Sequence, residues 1–364
     1  MATKSPVISW EFGTAYELFV SLYVLTDPDH FGIRPAYAAG VRSRIPATER
    51  KLLEDILPIF GLPLKWIHTL PAPRDAITAL WALKQIPPAE RMIKLQGLDD
   101  AEPYPSNDPL DIEKHQAGKE ILLRIAAEGK WKASDVEFFQ KALGKKHESV
   151  KKDAIERCLD WWSRPEEFGE GVLSAAQAYY QSFFEEEEKR LEPILKEALQ
   201  RAQARATALS LDELFVELSQ GVKLDEAFRA PKFVFAPAFW QTPLILFEKL
   251  DMDTMLILFG ARPIDMSVIS GEVVPEGLVR ALKALADPTR LKILNYLSKE
   301  ELASSELAKK LKLRAPTVTH HMNELRLAGL INVNFKGQDR RFTVRTEAID
   351  SIHTTLKDFL TDSK

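Results

Sequence analysis

One stretch of the chain, from Leu278 to Arg345, changes the spacing of its apolar residues part-way along. Up to Leu325 the apolar residues recur every three or four positions, which places them on one face of each of four successive helices. The predicted helices begin at Leu278, Pro288, Ser305 and Pro316. Beyond Gly329 they alternate with polar residues, as in a strand with one buried face. The alternating apolar residues are Ile331, Val333, Phe335, Phe342 and Val344. Helices followed by a two-stranded hairpin predict a winged helix-turn-helix, a fold that typically binds DNA.

The breaks between these predicted helices carry residues suited to helix ends. Asp287 offers an acceptor to the free N–H groups of the second helix, and Pro288 fits its first position, where no donor is needed. Pro316 opens the fourth helix, and Gly329 ends it because glycine tolerates a positive φ. Residues 336–339 have the composition of a hairpin turn. Helix ends and apolar spacing therefore indicate the same elements.

Four short motifs in this stretch resemble one family of bacterial regulators. They are the runs Ala286–Leu291, Ser305–Ala308, Thr317–Met322 and Leu325–Leu330. In this order they resemble the arsenical-resistance-repressor (ArsR) family over about the last quarter of the chain. The resemblance implies a repressor that binds double-stranded operator DNA. It also implies a homodimer built on the helices that flank the winged core, here 278–286 and 349–360, and hence a pseudo-palindromic operator.

The resemblance also implies which side chains contact DNA. In the family the fourth helix enters the major groove, and the hairpin, or wing, reaches the DNA backbone or the minor groove. The side chains expected to meet base edges are Thr317, Thr319, His320 and His321. Those expected to meet phosphates or the minor groove are Lys312 and Arg314 at the helix start and Lys336, Arg340 and Arg341 on the wing. The alternative for either histidine is packing or capping, and the alternative for the wing cations is solubility.

Many members of the family sense metals through ligands on the third or the last helix of the domain. The family's thiolate site places two cysteines on the third helix, where this chain has Ala303 and Ser305. Its single cysteine, Cys158, is distant in sequence, and soft-metal sites need thiolates. The family's other site pairs Asp and His with a second His and a Glu on the last helix. Asp350 and His353 have the first spacing, but no second His follows. We therefore expect no metal site and no cofactor.

Charge is divided unevenly along the chain. Residues 276–364 hold 16 Lys and Arg against 11 Asp and Glu, whereas residues 1–275 hold 33 against 42. The C-terminal part is therefore basic and the rest acidic, which argues against a second nucleic-acid surface. One cysteine excludes an internal disulfide, and no apolar run reaches the ~20 residues of a membrane helix. With no signal peptide at the N-terminus, we expect a cytoplasmic protein without membrane contact.

Residues 1–270 have the pattern of a mostly helical N-terminal domain with a small antiparallel sheet, which makes the whole chain α+β. A long helix is predicted over 172–209. The predicted sheet is a β-meander over about 232–260, with three short apolar strands separated by Pro or Asp turns. The run at 7–12 also has the composition of a short strand.

No catalytic motif is present in the sequence. The chain has no Gly-x-Ser-x-Gly, no Walker-type loop and no His-Glu-x-x-His. Its aromatic residues, such as Trp66 and Trp240, either line a pocket for a small-molecule effector or form the core. With a hinge at 271–277 and a DNA-binding domain over 276–364, we predict a transcriptional repressor, not an enzyme, whose N-terminal domain senses a non-metal effector. The alternative is an enzyme or protein-interaction domain that uses the winged helix for docking.

Overall fold

The computed structural model describes residues 6–57, 59, 61–99, 105–106, 108–143, 152–223, 230–271, 274–336 and 339–361, with the backbone alone at 143 and 336. Two separate clusters of buried apolar residues stabilise the protein, one drawn from residues 15–268 and the other from residues 278–352. None of the described helices combines the length and the apolar character needed to cross a membrane.

The N-terminal region is mostly helical, as predicted. Its helices are α1 (Thr14–Thr26), α2 (Pro28–Phe31), α3 (Pro35–Arg42), α4 (Ala47–Ile56), α5 (Leu64–Thr69), α6 (Ala76–Gln85), α7 (Pro88–Leu95), α8 (Pro109–Glu128), α9 (Ala133–Leu143), α10 (Lys152–Trp162), α11 (Pro165–Tyr179), α12 (Glu185–Ala206) and α13 (Leu211–Leu218). A π-helical turn, Tyr180–Phe184, joins α11 to α12. The long helix predicted over 172–209 therefore exists, but it begins earlier and contains a π turn that apolar spacing does not reveal.

Most strands of this region form one mixed sheet. They are β1 (Val7–Trp10), β2 (Val222–Lys223), β3 (Lys232–Ala238), β4 (Leu246–Lys249) and β5 (Thr254–Gly260). All except β2 lie in one sheet of order β1-β3-β5-β4. β1 and β5 both run parallel to β3, and β4 runs antiparallel to β5.

The predicted antiparallel meander over 232–260 is therefore wrong, although its three strands exist and the α+β class is confirmed. The chain leaves β3, forms β4 at the sheet edge, and returns with β5 between them. β3 and β5 are almost continuously buried, as in parallel strands covered by helices. Such runs lack the alternation of polar and apolar residues that would mark a sheet with one exposed face.

A buried carboxyl group connects α1 to the end of β3. The Glu17 side chain is fully buried and accepts hydrogen bonds from the N–H groups of Phe239 and Trp240. Burial raises the pKa of Glu17 to about 8, although both N–H groups act in the opposite direction. Glu17 therefore retains a proton in the folded protein at neutral pH.

Helices α7 and α11 approach each other most closely at Gly169. A Cβ atom there would lie 1.9 Å from the carbonyl oxygen of Pro88. The buried Arg91 guanidinium stabilises the same contact, because its Nη1 donates to the Gly169 carbonyl at 2.8 Å and its Nε to the Ile86 carbonyl at 3.0 Å. A residue without a side chain is therefore required at position 169.

Most aromatic residues of the N-terminal region belong to its core. Trp66, Trp162, Phe239 and Trp240 are buried, whereas the Trp81 side chain is 63% exposed. Trp240 packs against Phe183 with ring centroids 5.9 Å apart. These buried aromatic residues therefore form the core and do not line a pocket for an effector.

The C-terminal region is a winged helix-turn-helix, which confirms the prediction. Its elements are α14 (Glu276–Leu285), α15 (Pro288–Leu297), β6 (Leu302–Ala303), α16 (Ser304–Leu311), α17 (Ala315–Leu327), β7 (Ile331–Lys336), β8 (Asp339–Val344) and α18 (Thr346–Thr361). The Asp287 carboxylate caps α15 by accepting the N–H groups of Thr289 at 2.8 Å and Arg290 at 2.9 Å. Gly329, just after α17, has the positive φ of 68° expected of it.

The N-terminal region extends the sheet of the wing. That sheet has the order β2-β7-β8-β6, with β2 parallel to β7, and the Val333 N–H donates to the Gly221 carbonyl at 2.8 Å. Gly221 has a φ of 111°, and a Cβ there would meet the Asn332 side chain at 2.5 Å. A second contact is made from α14, where the Arg280 guanidinium donates to the Gly32 carbonyl. These contacts hold the winged helix against the N-terminal region.

Candidate DNA-binding surface

Helix α17 has one face in the winged-helix core and the opposite face in solvent. Its buried residues are Val318, Met322 and Leu325. Pro316, His320 and Asn323 are exposed on the other side. In a helix-turn-helix formed by α16 and α17, this outer face is the one that can enter a DNA groove.

The four predicted base-contacting residues do not share one environment. Thr317, Thr319 and His320 are exposed, whereas His321 is only half-buried. The His321 Nδ1 atom is buried without a hydrogen-bond partner among the described residues. The hydrogen bond from the Arg290 N–H is the main cause that lowers the pKa of the Asp287 carboxyl, and the nearby His321 ring acts in the same direction. Adjacent histidines thus point to different surroundings, His320 to solvent and His321 towards the start of α15.

The predicted phosphate contacts at the helix start are both exposed. Lys312 ends α16 in the left-handed conformation, with φ 55°, and Arg314 occupies the capping position before α17. Their side chains are in solvent beside the first turn of α17. Two cations and the positive end of the α17 dipole therefore coincide at one point, which favours a phosphate group there.

The wing arginines differ in their partners. Arg340 is exposed, and its guanidinium lies 5.5 Å from the centroid of the Phe335 ring. Arg341 forms an ion pair with Glu306 on α16, with an Nη1–Oε2 distance of 3.1 Å. The side chain of Lys336 lies outside the described residues. Between the two wing arginines, Arg340 is the one whose side chain is available to a phosphate.

We expect Arg340→Ala and Arg341→Ala to have different effects on DNA binding. Arg340→Ala should flatten the dependence of affinity on salt by about one unit of slope, because one phosphate contact is lost. Arg341→Ala should flatten it less and should also lower the free energy of unfolding by up to about 1 kcal/mol, since it removes a partly exposed ion pair. Fluorescence-anisotropy titrations at several salt concentrations measure the slopes. Equal slopes for Arg340→Ala and the wild type would contradict the assignment.

Two residues on the second half of α17 were not predicted from the sequence. Asn323 is exposed one helical turn after His320, so the i, i+3 spacing was the signal that could have identified it. Arg326 is half-buried between the winged helix and the N-terminal region. No sequence signal reveals that position, because it depends on how the two regions pack.

Comparison with known proteins agrees with this geometry. The family model described as "Bacterial regulatory protein, arsR family" matches residues 287–333. Over 75 residues the chain is 35% identical to the transcriptional repressor SdpR of Bacillus subtilis, and the match covers 20% of this chain and 83% of SdpR. The chain belongs to the arsR family.

Further relatives match this arsR-family regulator over the same part. The arsenical resistance operon repressor of Staphylococcus xylosus is 35% identical over 75 residues, which cover 21% of this chain and 72% of that protein. Among solved structures, HlyU from Vibrio cholerae is 34% identical and covers 23% of this chain and 91% of that one, with a TM-score of 0.19.

The family match places this protein among DNA-binding transcriptional regulators. It spans α15 to the start of β7 and so contains the candidate residues of α17 and its start, while Arg340 and Arg341 lie beyond it. Among the described residues, no three His, Cys, Asp or Glu side chains form a group that could hold a metal ion. Cys158 is buried, and burial raises the pKa of its thiol.

Proposed function

We propose that this arsR-family regulator is a repressor that binds double-stranded operator DNA through α17 and the wing. The observation that carries the proposal is the exposure of Thr317, Thr319 and His320 together on α17, with cations at the helix start and on the wing. Polar side chains with cations on either side match the arrangement of DNA, in which the base edges lie between the phosphates of the two strands. The proposed contacts are Lys312, Arg314, Thr317, Thr319, His320, His321, Lys336, Arg340 and Arg341. For Arg341, the contact would have to be shared with Glu306.

We also propose that the regulator binds as a homodimer. Large apolar side chains are exposed on the two helices that flank the winged core: Leu282 on α14 is 38% exposed, and Ile349 and Leu360 on α18 are 40% and 70% exposed. Burial of such residues between two copies would be favourable. A two-fold dimer requires an operator with two related half-sites.

We further propose that the N-terminal region binds a non-metal small molecule as the regulatory effector. In this proposal the protein is cytoplasmic. Ala303 and Ser305 stand where a thiolate metal site would need cysteines. The N-terminal region contacts the wing through β2 and contacts α14 through Gly32. A ligand that favours one arrangement of these contacts would change the affinity for DNA.

Selection of binding sites from random duplex DNA with the full-length protein tests the proposed function. We expect the selected sites to share a pseudo-palindromic sequence. Thr317→Ala and His320→Ala should each alter the preferred bases, at a cost of ~1–3 kcal/mol for each lost base contact. Thr48→Ala, exposed on α4 of the N-terminal region, is the matched control and should leave the selected sequence unchanged.

Two results would contradict the proposal at different levels. Failure to enrich any duplex sequence would argue against operator binding. Selection of the same sequence by the wild type, Thr317→Ala and His320→Ala would show that α17 does not contact the bases through these side chains.

A further inference from the structure

A cleft of about 920 Å³ separates the N-terminal region from the winged helix. Residues 29–35 form one wall, and α14 with the second half of α17 forms the other. His320, Asn323 and Arg326 of α17 all line it. The volume falls in the range of small-molecule sites, and apart from His320 its lining residues have no role in the proposed DNA contacts.

Arg326 is the most unusual of the lining residues. Its guanidinium has no hydrogen bond or ion pair among the described residues, and the half-buried residue also borders two smaller cavities beside β2 and the wing. Burial lowers the pKa of Arg326, and the nearby charge of Arg340 acts in the same direction. A largely desolvated cation without a counter-charge is unfavourable, so an anion that reaches it would gain binding energy.

The cleft is lined by three carboxylates, Asp29, Glu276 and Glu324, against four cations, Arg34, Arg280, Lys283 and Arg326. Glu324 on α17 lies 3.7 Å from the Arg290 guanidinium, measured from Oε2 to Nη1. Glu276 and Glu324 both act electrostatically on Arg280, the arginine that donates to the Gly32 carbonyl. Both carboxylates of this wall therefore already face arginines. One Glu276 oxygen, Oε2, is buried without a hydrogen-bond partner among the described residues.

Apolar residues line the same cleft. Ile33 and Leu244 are buried at its N-terminal wall, and Leu327 lies on α17 beside Arg326. We propose that the cleft binds a small organic anion, with its anionic group on Arg326 and its apolar part against Ile33, Leu244 and Leu327. A hydroxyl or amino group on the ligand would donate to the free oxygen of Glu276.

The position of the cleft predicts how such a ligand acts, and this step rests on the proposed function. His320 lines the cleft and is also a proposed base contact, so the ligand occupies space that DNA needs. The ligand also bridges residues 29–35 to α17 and holds the N-terminal region close to that helix. Ligand and operator therefore exclude each other, and each lowers the affinity for the other by the same factor.

The test uses the full-length protein and 8-anilinonaphthalene-1-sulfonate, an apolar sulfonate whose fluorescence increases on binding. We expect the wild type to bind it, and Arg326→Met to weaken binding about tenfold because a charge-assisted contact is lost. Arg326→Lys should retain most of the affinity. Arg201→Ala, which removes an exposed cation on α12, is the matched control and should bind like the wild type. Equal affinity of Arg326→Met and the wild type would overturn the proposal.

Hydrogen exchange locates the probe in the wild type and does not depend on whether a variant folds. Added probe should slow exchange in residues 29–35 and 320–327, and protection elsewhere without protection there would also overturn the proposal. A selected operator duplex should displace the probe. If the duplex binds without displacing it, the exclusion is wrong. If the probe protects the cleft but no duplex is ever selected, the ligand site stands and the proposed repressor function fails.

Discussion

Between about pH 5 and pH 8 the free energy of unfolding should fall as the pH rises, and Glu17→Gln should remove much of that fall. Burial raises the pKa of Glu17 to about 8 in the folded protein, well above its ordinary value of 4.5. Within this window the folded state keeps a proton that the unfolded state has lost, so raising the pH favours unfolding. Each unit of pKa difference corresponds to about 1.4 kcal/mol, which makes the total several kcal/mol.

Glutamine at position 17 is neutral at every pH and can still accept an N–H group. We therefore expect Glu17→Gln to resemble the wild type near pH 5 and to be the more stable protein near pH 9. Burial also raises the pKa of Glu248, to about 7, so Glu248→Gln should remove a further part of the slope. Glu186→Gln, whose side chain is 89% exposed, is the control and should follow the wild type. Urea unfolding at several pH values measures the effect, and parallel curves for Glu17→Gln and the wild type would refute a buried, protonated Glu17.

Gly169→Ala should cause the largest loss of stability among simple glycine replacements in this protein. The added Cβ would lie 1.9 Å from the Pro88 carbonyl oxygen, which belongs to the backbone and cannot rotate away. Helices α7 and α11 must then separate, and the Arg91 contact to the Gly169 carbonyl is lost with them. Overpacking of this kind costs ~1–3 kcal/mol or more, to which the lost buried hydrogen bond adds.

Gly40→Ala is a matched control for this substitution. Gly40 also lies inside a helix, α3, but apart from the neighbouring backbone of that helix no atom of the described residues lies within 4 Å of the position of an added Cβ. Alanine there should stabilise the protein by about 0.5–1 kcal/mol, because glycine is the poorer helix former. Urea unfolding followed by tryptophan fluorescence compares the two variants with the wild type. A Gly169→Ala protein as stable as Gly40→Ala would contradict the close packing of α7 on α11.

The sequence predicts those parts of the fold that depend on neighbouring residues. Asp287, Pro316 and Gly329 mark helix ends through local hydrogen bonds and backbone angles, so the winged helix is predicted almost element by element. The parallel pairing of β1 with β3 is different, because it joins positions 7 and 232. Strand β2 has only two residues, too few for any repeat, and its pairing with β7 depends on the packing of two regions.

In the candidate site, too, local sequence spacing predicts some features, whereas others depend on contacts between distant parts of the chain. His321 lies three residues after Val318 and four before Leu325, which places it towards the core side of α17, so helical geometry alone distinguishes it from His320. The ion pair between Arg341 and Glu306 joins β8 to α16 and has no counterpart in sequence spacing. The cleft beside Arg326 also requires both regions of the chain, because the sequence does not say which faces meet across it.

The pairing of β1 with β3 has a consequence for synthesis of the protein on the ribosome. Strand β1 is synthesised before its partner, which begins at Lys232 and follows most of the helices of the N-terminal region. At about 5–20 residues per second, the intervening stretch takes roughly 10–45 s to synthesise. During that time the hydrogen-bonding edge of β1 has no partner, and a nascent chain in this state is open to aggregation or to chaperones. The winged helix follows β5 in the chain, so it is synthesised after the strands that complete this sheet.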